Sequence, residues 1–305
     1  MTCRFIIASL LSICFLLLPV SLGQSGSLGF AQEPPAEEAK PAEEPAPEPA
    51  KLVPDPALEA ALRAEVYAKR NNTEPLTIDD LKDISRVEAI GKGIEDLTGL
   101  EHCVSLRLIR LSDNKISDLT PIAGLERLMS IEFENNQIQD IAPLAKLTGI
   151  QLLNLGGNQV KSLAALEQMT NMRSLWLANN QLESLAPIAG LSKIGSLDVA
   201  GNSLEDGQLE PIGKLGWLTH LDLDRNQITS FEALRPLKKL SMILARENKI
   251  QDLTALVEMC RADMDGDKRF APYLELYLRG NPLSQEALGT QLDQLRACGV
   301  DVLLK

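Results

Sequence analysis

The chain has 305 residues, of which 45% are hydrophobic and 24% are charged, and this composition excludes a miniprotein and a wholly disordered chain. Its net charge of −12 at pH 7 argues against nonspecific nucleic-acid binding and against acidic phospholipid surfaces, because both depend on Lys and Arg side chains. Only 4% of the residues are aromatic, so the core must be built from small aliphatic side chains that pack in a regular way.

The N-terminus has the form of a secretory signal peptide. One positive charge, Arg4, precedes an apolar run over residues 5–18 that ends at Pro19, and this run is shorter than the roughly 20 residues that span a bilayer. Small residues allow cleavage after Gly23 or as late as Ala31. Residues 1–23 therefore predict export to the periplasm, the cell surface or the medium, with no stable membrane insertion after cleavage.

Residues 32–51 consist almost entirely of Pro, Ala and Glu and contain no large apolar side chain. Such a segment has nothing to bury, and its prolines and like-charged carboxylates favour an extended chain. The sequence therefore predicts a disordered, acidic linker between the signal peptide and the folded part.

The main signal is an internal repeat. The pattern apolar-x-x-apolar-x-apolar-x-x-Asn-x-apolar occurs eight times, mostly with a period of 22 residues, and a weaker ninth copy with Lys92 in place of Asn precedes them. In the last copy Tyr273 occupies the first apolar position. The eight asparagines are Asn114, Asn136, Asn158, Asn180, Asn202, Asn226, Asn248 and Asn281.

Each part of the repeat has a physical reason. The apolar-x-apolar step has the period of a β-strand, so one short strand per repeat stacks into a parallel sheet. The Asn follows where the chain turns, and its amide can both donate to and accept from backbone groups, which predicts a structural ladder. Four residues later a Ser or Asp side chain can cap a short 3₁₀ or α turn on the outer side. These capping positions are Asp118, Asp140, Ser162, Ser184, Ser230 and Asp252.

With this repeat, residues 84–283 resemble leucine-rich repeats of the short 22-residue, internalin-like bacterial type. The resemblance implies an α/β fold: a solenoid with a parallel concave β-sheet and short turns on the convex side. It also implies a helical N-terminal cap over residues 52–83, with helices from about Asp55 and Thr77, and a helix-strand C-terminal cap over residues 284–305. Solenoids need caps because their end coils otherwise expose the core.

The resemblance also implies that partners bind on the concave face, which the outward-pointing strand residues form. Near its middle, Trp176 has small neighbours, as an aromatic interface anchor would. The acidic residues on this face predict a protein partner with a basic patch, and a glycan is the less favoured ligand. The predicted binding residues are Trp176, Asn154, Asp198, Glu132, Asp222, Leu244 and Tyr277.

Three cysteines remain after signal removal, Cys103, Cys260 and Cys298. Their odd number allows at most one intramolecular disulfide. If one forms, its spacing favours Cys260 and Cys298 as the pair, but the favoured expectation is three buried free thiols.

Residues 263–269, DMDGDKR, lie in the longer spacing before the last repeat asparagine. Alternating Asp residues begin an EF-hand calcium loop, but here Gly266 stands at the fourth place instead of the sixth, and Leu274 stands where a Glu should be. Lys268 and Arg269 also oppose the acidic charge. A solvated turn is therefore the expected structure, and we expect neither a metal nor another cofactor.

Catalysis has little support in the sequence. His102 and His220 are the two histidines, and neither has Cys or His partners at metal-ligand spacing. His220, Ser196 and Asp222 could be drawn as a triad, but neighbouring residues on an open sheet lack the oxyanion donors and the water-excluded cleft that acyl transfer needs. The sequence therefore predicts that the protein is not an enzyme.

The favoured interpretation is an exported, non-catalytic leucine-rich repeat protein that binds another protein through its concave face. One alternative is an intracellular regulator resembling the 22-residue-repeat subunits that bind protein phosphatases, which the signal peptide opposes. A purely structural envelope protein is the other. The fold alone does not name a ligand.

Overall fold

The computed structural model of the protein describes residues 51–304. The predicted signal peptide and all of the predicted linker except Lys51 lie outside these residues. No helix in the described range is long and apolar enough to cross a bilayer.

The centre of the fold is one parallel sheet of ten strands, arranged in sequence order from β1 to β10. Each strand has three residues, with one inward apolar side chain between two outward ones, and in β2 to β9 the second apolar residue of the apolar-x-apolar step is buried directly after the strand. The predicted parallel-sheet solenoid is confirmed. The strands are β1 (Arg86–Glu88), β2 (Leu108–Arg110), β3 (Ser130–Glu132), β4 (Leu152–Asn154), β5 (Ser174–Trp176), β6 (Ser196–Asp198), β7 (His220–Asp222), β8 (Met242–Leu244), β9 (Glu275–Tyr277) and β10 (Asp301–Leu303).

Short 3₁₀ turns form the convex side and replace the long helices that a 22-residue coil cannot hold. In six coils the predicted Asp or Ser accepts a hydrogen bond from the backbone N–H two residues later, as Asp118 does from Thr120 at 2.8 Å. These turns are Leu100–His102, Thr120–Ile122, Ala142–Lys146, Ala164–Leu166, Ala186–Gly190, Asp206–Gln208, Glu210–Lys214 and Glu232–Leu234. Two further 3₁₀ turns are Tyr67–Lys69, before the first coil, and Ala271–Tyr273, directly before β9.

The asparagine ladder holds consecutive coils together. In a representative coil, Asn158 Oδ1 accepts from the Ile138 backbone N–H at 3.0 Å, and its Nδ2 donates to the Phe133 carbonyl of the preceding coil at 2.9 Å. The same Nδ2 donates to the Leu155 and Gly156 carbonyls of its own coil at 3.0 and 3.2 Å. Each of the eight asparagines bridges its own coil to the preceding one in this way.

The first coil has no ladder asparagine, and its position at the start of the solenoid explains why. Lys92 stands at the ladder position, and its backbone N–H donates to Asn114 Oδ1 of the next coil at 3.0 Å. Each ladder side chain forms hydrogen bonds with the coil before its own, and within residues 51–304 no coil precedes the first one. An Asn at position 92 would therefore have no preceding strand to bridge.

The residue before each ladder position has a positive φ, between 53° and 80° in the eight asparagine coils. Gly157, Gly201 and Gly280 adopt this conformation without strain, and asparagine tolerates it. Arg225 and Glu247 adopt it as well, although it is unfavourable for side chains of their kind. The turn into the ladder is therefore set by the coil geometry and not by local preference alone.

An N-terminal cap covers the first coil with helices α1 (Pro56–Glu65) and α2 (Ile78–Leu81). Asp55 caps α1 through the Ala57 and Leu58 N–H groups, and its second oxygen accepts from the Glu95 N–H of the first coil at 2.9 Å. Burial raises the pKa of Asp55, but these backbone hydrogen bonds outweigh it, and the pKa lies below its usual value.

The last repeat contains an inserted helix, α3 (Thr254–Asp265), and here one prediction is wrong. Tyr273 is 71% exposed, while Phe270 and Leu274 fill the core. The insertion adds a 3₁₀ turn directly before β9, and this turn rotates Tyr273 outward and its successor Leu274 inward. The repeat pattern does not predict such a rotation, because it assumes that every coil has the same backbone geometry.

A helix and a strand close the other end. A π-helical segment, Ala287–Gln291, continues into α4 (Leu292–Ala297), and β10 then pairs with β9. Gln291 is buried, and its side chain accepts from the Leu253 N–H at 2.7 Å and donates to Asp252 Oδ2 at 2.7 Å. These bonds attach the closing helix to the start of α3.

Candidate functional site

The sheet register brings the predicted binding residues into one row across the concave face. Glu132, Asn154, Trp176, Asp198, Asp222, Leu244 and Tyr277 occupy successive strands and are paired directly in register. Because neighbouring strands lie about 4.8 Å apart, the row extends roughly 29 Å.

Trp176 lies near the middle of this row and is half-buried. Its indole Nε1 lies 3.5 Å from Ser196 Oγ on the next strand, a long hydrogen bond. Ala178 and Ala200 follow on the neighbouring positions, and neither can cover a ring of this size. The indole therefore keeps part of its surface available to a ligand.

Beside Trp176 lie two carboxylates that no cation contacts. Asp198 and Asp222 each use one oxygen to accept the backbone N–H two residues later, at 2.9 Å, and neither forms an ion pair within the described residues. Burial raises the pKa of Asp198, and burial together with the charges of Asp198 and Asp224 raises that of Asp222 to about 6. The centre of the face is therefore acidic, and its two carboxylates form no ion pair with a cation of the described residues.

Residues at the two ends of the row already have ion-pair or hydrogen-bond partners within the protein. Arg110 lies between Glu132 and Glu88, with Nε 2.9 Å from Glu132 Oε1. Asn154 is buried; its Oδ1 accepts from the Gly156 N–H, and its Nδ2 donates to Glu134 at 3.2 Å. Asn154 thus lies in the predicted row, but its amide already has partners.

At the other end, Asp224 is buried and paired with Arg246, whose Nη2 lies 2.5 Å from Asp224 Oδ2. The Arg246 guanidinium also lies 5.9 Å from the ring centre of Tyr277, and the Tyr277 hydroxyl donates to Glu275 at 3.0 Å. Leu244 is half-buried between Asp222 and Tyr277 in the row.

No protein-family model matches the sequence, and no curated protein matches it. Several solved structures match the protein. An internalin, InlF, from Listeria monocytogenes strain 4b F2365 has a TM-score of 0.71 at 26% identity, over 83% of this chain and 69% of that one. Internalin C2 of the same strain has a TM-score of 0.57 at 25% identity, over 83% and 95% of the two chains. The fold is that of an internalin-like leucine-rich repeat solenoid.

A Leptospira interrogans leucine-rich repeat protein, LIC12759, shares this fold with a TM-score of 0.52 at 22% identity, over 66% of this chain and 62% of that one. At this identity the likeness concerns the fold alone.

The geometry of the internalin-like solenoid does not assemble the triad drawn from the sequence. His220 Nδ1 lies 2.8 Å from the Thr219 hydroxyl, Ser196 Oγ faces the Trp176 indole, and Asp222 accepts from the backbone. No hydrogen bond joins His220 to Ser196 or to Asp222 among the described residues. The three side chains are neighbours on the sheet without the contacts that activate a nucleophile.

The acidic loop before the last repeat has a structural role in the solenoid. Asp263 is buried, and its carboxylate accepts from the Arg269, Phe270 and Ala271 N–H groups at 3.0 to 3.1 Å. Burial raises the pKa of Asp263, but these backbone bonds outweigh it and leave the pKa below its usual value. An oxygen set already filled by backbone donors has little left to offer a cation. No cluster of three metal-ligating side chains occurs within residues 51–304.

The three cysteines of the solenoid are buried free thiols. Burial raises the pKa of Cys103 and of Cys260 to about 12, and the neighbouring Cys298 adds to the effect at Cys260. A thiol with so high a pKa has almost no thiolate at neutral pH and reacts slowly.

Sequence reasoning missed one prominent side chain. Trp217 is 64% exposed, and Lys239 Nζ lies 4.3 Å from its ring centre. Both precede a strand by three residues, in consecutive coils, so they stack at one edge of the sheet and not on the concave face. An alignment of the repeats would have placed Trp217 and Lys239 in the same column.

Proposed function

We propose that the protein is an exported, non-catalytic leucine-rich repeat protein that binds a partner protein through its concave face. The partner presents a basic patch to Asp198 and Asp222 and packs an apolar group against Trp176. Export rests on the signal-peptide form of residues 1–23, and the interaction role is supported by the likeness to internalins.

The observation that carries the proposal is the pair of carboxylates without a cation beside a half-buried indole. Asp198 and Asp222 are half-buried and form no ion pair among the described residues, so a Lys or Arg from a partner would gain an ion pair there. The same cation would lie next to Trp176, where a cation–π contact adds to the attraction. A partner that is neutral or acidic at its contact surface would gain neither.

The non-catalytic part of the proposal is supported by the hydrogen bonding of His220, Ser196 and Asp222, none of which bonds to another of the three within the described residues. A glycan is the less favoured ligand, because an uncharged sugar would leave the two carboxylates without a counterion.

The experiment is photo-crosslinking from position 176 in cell-envelope fractions, followed by mass spectrometry. The control places the same crosslinker at position 67, since Tyr67 is 88% exposed on the N-terminal cap and far from the row in the sequence. We expect a protein that is captured from position 176 only. With that partner purified, Trp176→Ala should weaken binding about 10-fold or more, and Tyr67→Ala should leave the affinity unchanged.

The pH dependence provides an independent check of the carboxylates. Because the pKa of Asp222 is about 6, a cation binds better once the group is ionised, so affinity should rise between pH 5 and pH 7 in the wild type and stay flatter in Asp222→Asn. A partner captured equally from both positions, or an affinity that Trp176→Ala does not change, refutes the concave-face site. An intact Met1 in the cytosol would support the regulator, and the lack of any saturable partner would support a structural protein.

A further inference from the structure

One edge of the solenoid has the opposite charge to the chain as a whole. We call it the strand-entry edge, because it consists of the segments that lead into strands β2 to β8. Within these segments nine residues are basic and three are acidic, although the chain carries a net charge of −12. The segments are residues 101–107, 123–129, 145–151, 167–173, 189–195, 213–219 and 235–241. The basic residues are Arg107, Arg127, Lys146, Arg173, Lys193, Lys214, Arg235, Lys238 and Lys239, and the acidic ones are Glu101, Glu126 and Glu167.

The coil register stacks these side chains in rows. The Met129 N–H donates to the Arg107 carbonyl at 2.9 Å, and equivalent bonds continue coil by coil to the Ser241 N–H, which donates to the Thr219 carbonyl at 2.8 Å. Side-chain contacts follow the same rows, with Lys193 Nζ donating to Asn171 Oδ1 at 2.8 Å. At about 4.8 Å per coil, the edge forms a straight line of roughly 29 Å.

Eight of the nine cations on this line are exposed and form no ion pair within residues 51–304, whereas Arg235 is half-buried. Arg235 pairs with Glu232 and Glu258, but none of the other eight pairs with a carboxylate in the described part of the chain. By contrast, the arginines of the concave face, such as Arg110 and Arg246, are engaged in ion pairs. Charge that is unpaired and aligned in this way creates a local positive potential within a Debye length of about 10 Å.

Exposed apolar side chains occur on the same line. Val104 is 58% exposed, Met129 is 40% exposed and Trp217 is 64% exposed. Single exposed apolar residues need no explanation by themselves, but here they alternate with unpaired cations. A protein interface usually gathers its apolar residues into a central core with a polar rim. Apolar and basic residues interspersed along one face are instead typical of surfaces that lie on membranes, where Trp occupies the headgroup level.

We propose that the strand-entry edge binds the surface of an anionic lipid bilayer. The Lys and Arg side chains contact lipid phosphates, and Trp217 enters the interfacial layer. The strongly negative average charge concealed this surface, because most carboxylates lie outside these segments and are screened at that distance. In this orientation the strands stand upright on the membrane, so the concave face remains open to a partner at the same time.

The test uses the full mature chain and vesicles of two compositions, phosphatidylcholine alone and equal parts of phosphatidylcholine and phosphatidylglycerol. We expect binding to the anionic vesicles only, with release at high salt. Changing Lys193, Lys238 and Lys239 to Gln together should weaken binding on the order of 100-fold, about fivefold for each charge. The matched control changes Lys92, Lys161 and Lys249 to Gln; these are exposed lysines at the opposite edge, so both variants have the same net charge.

Tryptophan fluorescence locates the contact. Trp176→Phe leaves Trp217 as the single indole, and Trp217→Phe leaves Trp176. Lipids brominated near the headgroup should quench emission in Trp176→Phe and not in Trp217→Phe. Equal loss of binding in the two triple-lysine variants, or no binding to anionic vesicles at all, overturns the proposal. Edge-dependent binding to poly-glutamate without vesicle binding would assign the edge to an acidic protein and also overturn it.

Discussion

Replacement of one ladder asparagine tests whether the ladder stabilises the solenoid. In Asn158→Ala the Ile138 N–H loses the side-chain acceptor at 3.0 Å, and the Phe133 and Leu155 carbonyls lose donors at 2.9 and 3.0 Å. A buried donor left without a partner costs about 1–3 kcal/mol, and each lost hydrogen bond to a carbonyl costs about 1 kcal/mol. We therefore expect a loss of about 3–5 kcal/mol, a large part of the 5–15 kcal/mol that typically stabilises a folded domain.

The assay is urea unfolding followed by far-UV circular dichroism, with the slope checked for a change in cooperativity. Asn171→Ala is the matched control, because it removes the same side chain from an exposed position where the main contact is with Lys193. The control should cost less than about 1 kcal/mol. If the two variants lose the same stability, the ladder bonds do not hold consecutive coils together and the argument fails.

Three further predictions concern charges and thiols. The pKa of Asp222 is raised from 3.8 to about 6, so its protonated form stabilises the folded state below the unfolded pKa, and this contribution is lost as the pH rises through 6. Asp222→Asn should remove this pH dependence. It should also raise the free energy of unfolding at neutral pH by about 1 kcal/mol after solvent screening is allowed for. Asp263→Ala should lower the melting temperature by several degrees, because the buried N–H groups of Phe270 and Ala271 and the partly buried N–H of Arg269 lose their acceptor, whereas EDTA and added calcium should leave the wild-type melting curve unchanged. Alkylation of Cys103 and Cys260 should be slow in the folded protein, and the unfolded, non-reduced mature protein should titrate three thiols; a count of one would show that one disulfide forms.

The regular coils could be predicted from the sequence because their information is local and repeated. Every strand from β2 to β9 has its inward residue at the position that the apolar-x-apolar step indicates, and the register follows from the constant spacing. The prediction failed at Tyr273, where an inserted helix and turn change the rotation of the chain. No periodic pattern carries that information, since it depends on how α3 packs.

The sequence predicted where the residues of the candidate site lie, but not which of them are buried, hydrogen-bonded or paired with a cation. The row that contains Trp176 follows from the register, but the sequence does not show that Asn154 is buried and already bonded, or that Asp224 has Arg246 while Asp222 has no cation. Those differences arise from contacts between coils. For the same reason the role of Asp263, which accepts from residues six to eight positions later, appeared in the sequence only as an acidic loop.

The ladder also gives the solenoid a direction of assembly. Each asparagine completes the hydrogen bonding of the coil before its own, so a coil is finished only when its C-terminal neighbour arrives. Lys92 marks the coil at which this dependence begins. During synthesis, which begins at the N-terminus, the coil that has emerged most recently is therefore incomplete until the next coil follows it. Removing coils from the C-terminus would recreate that unfinished state, whereas removing them from the N-terminus would leave the asparagine of the new first coil without a preceding coil to bridge.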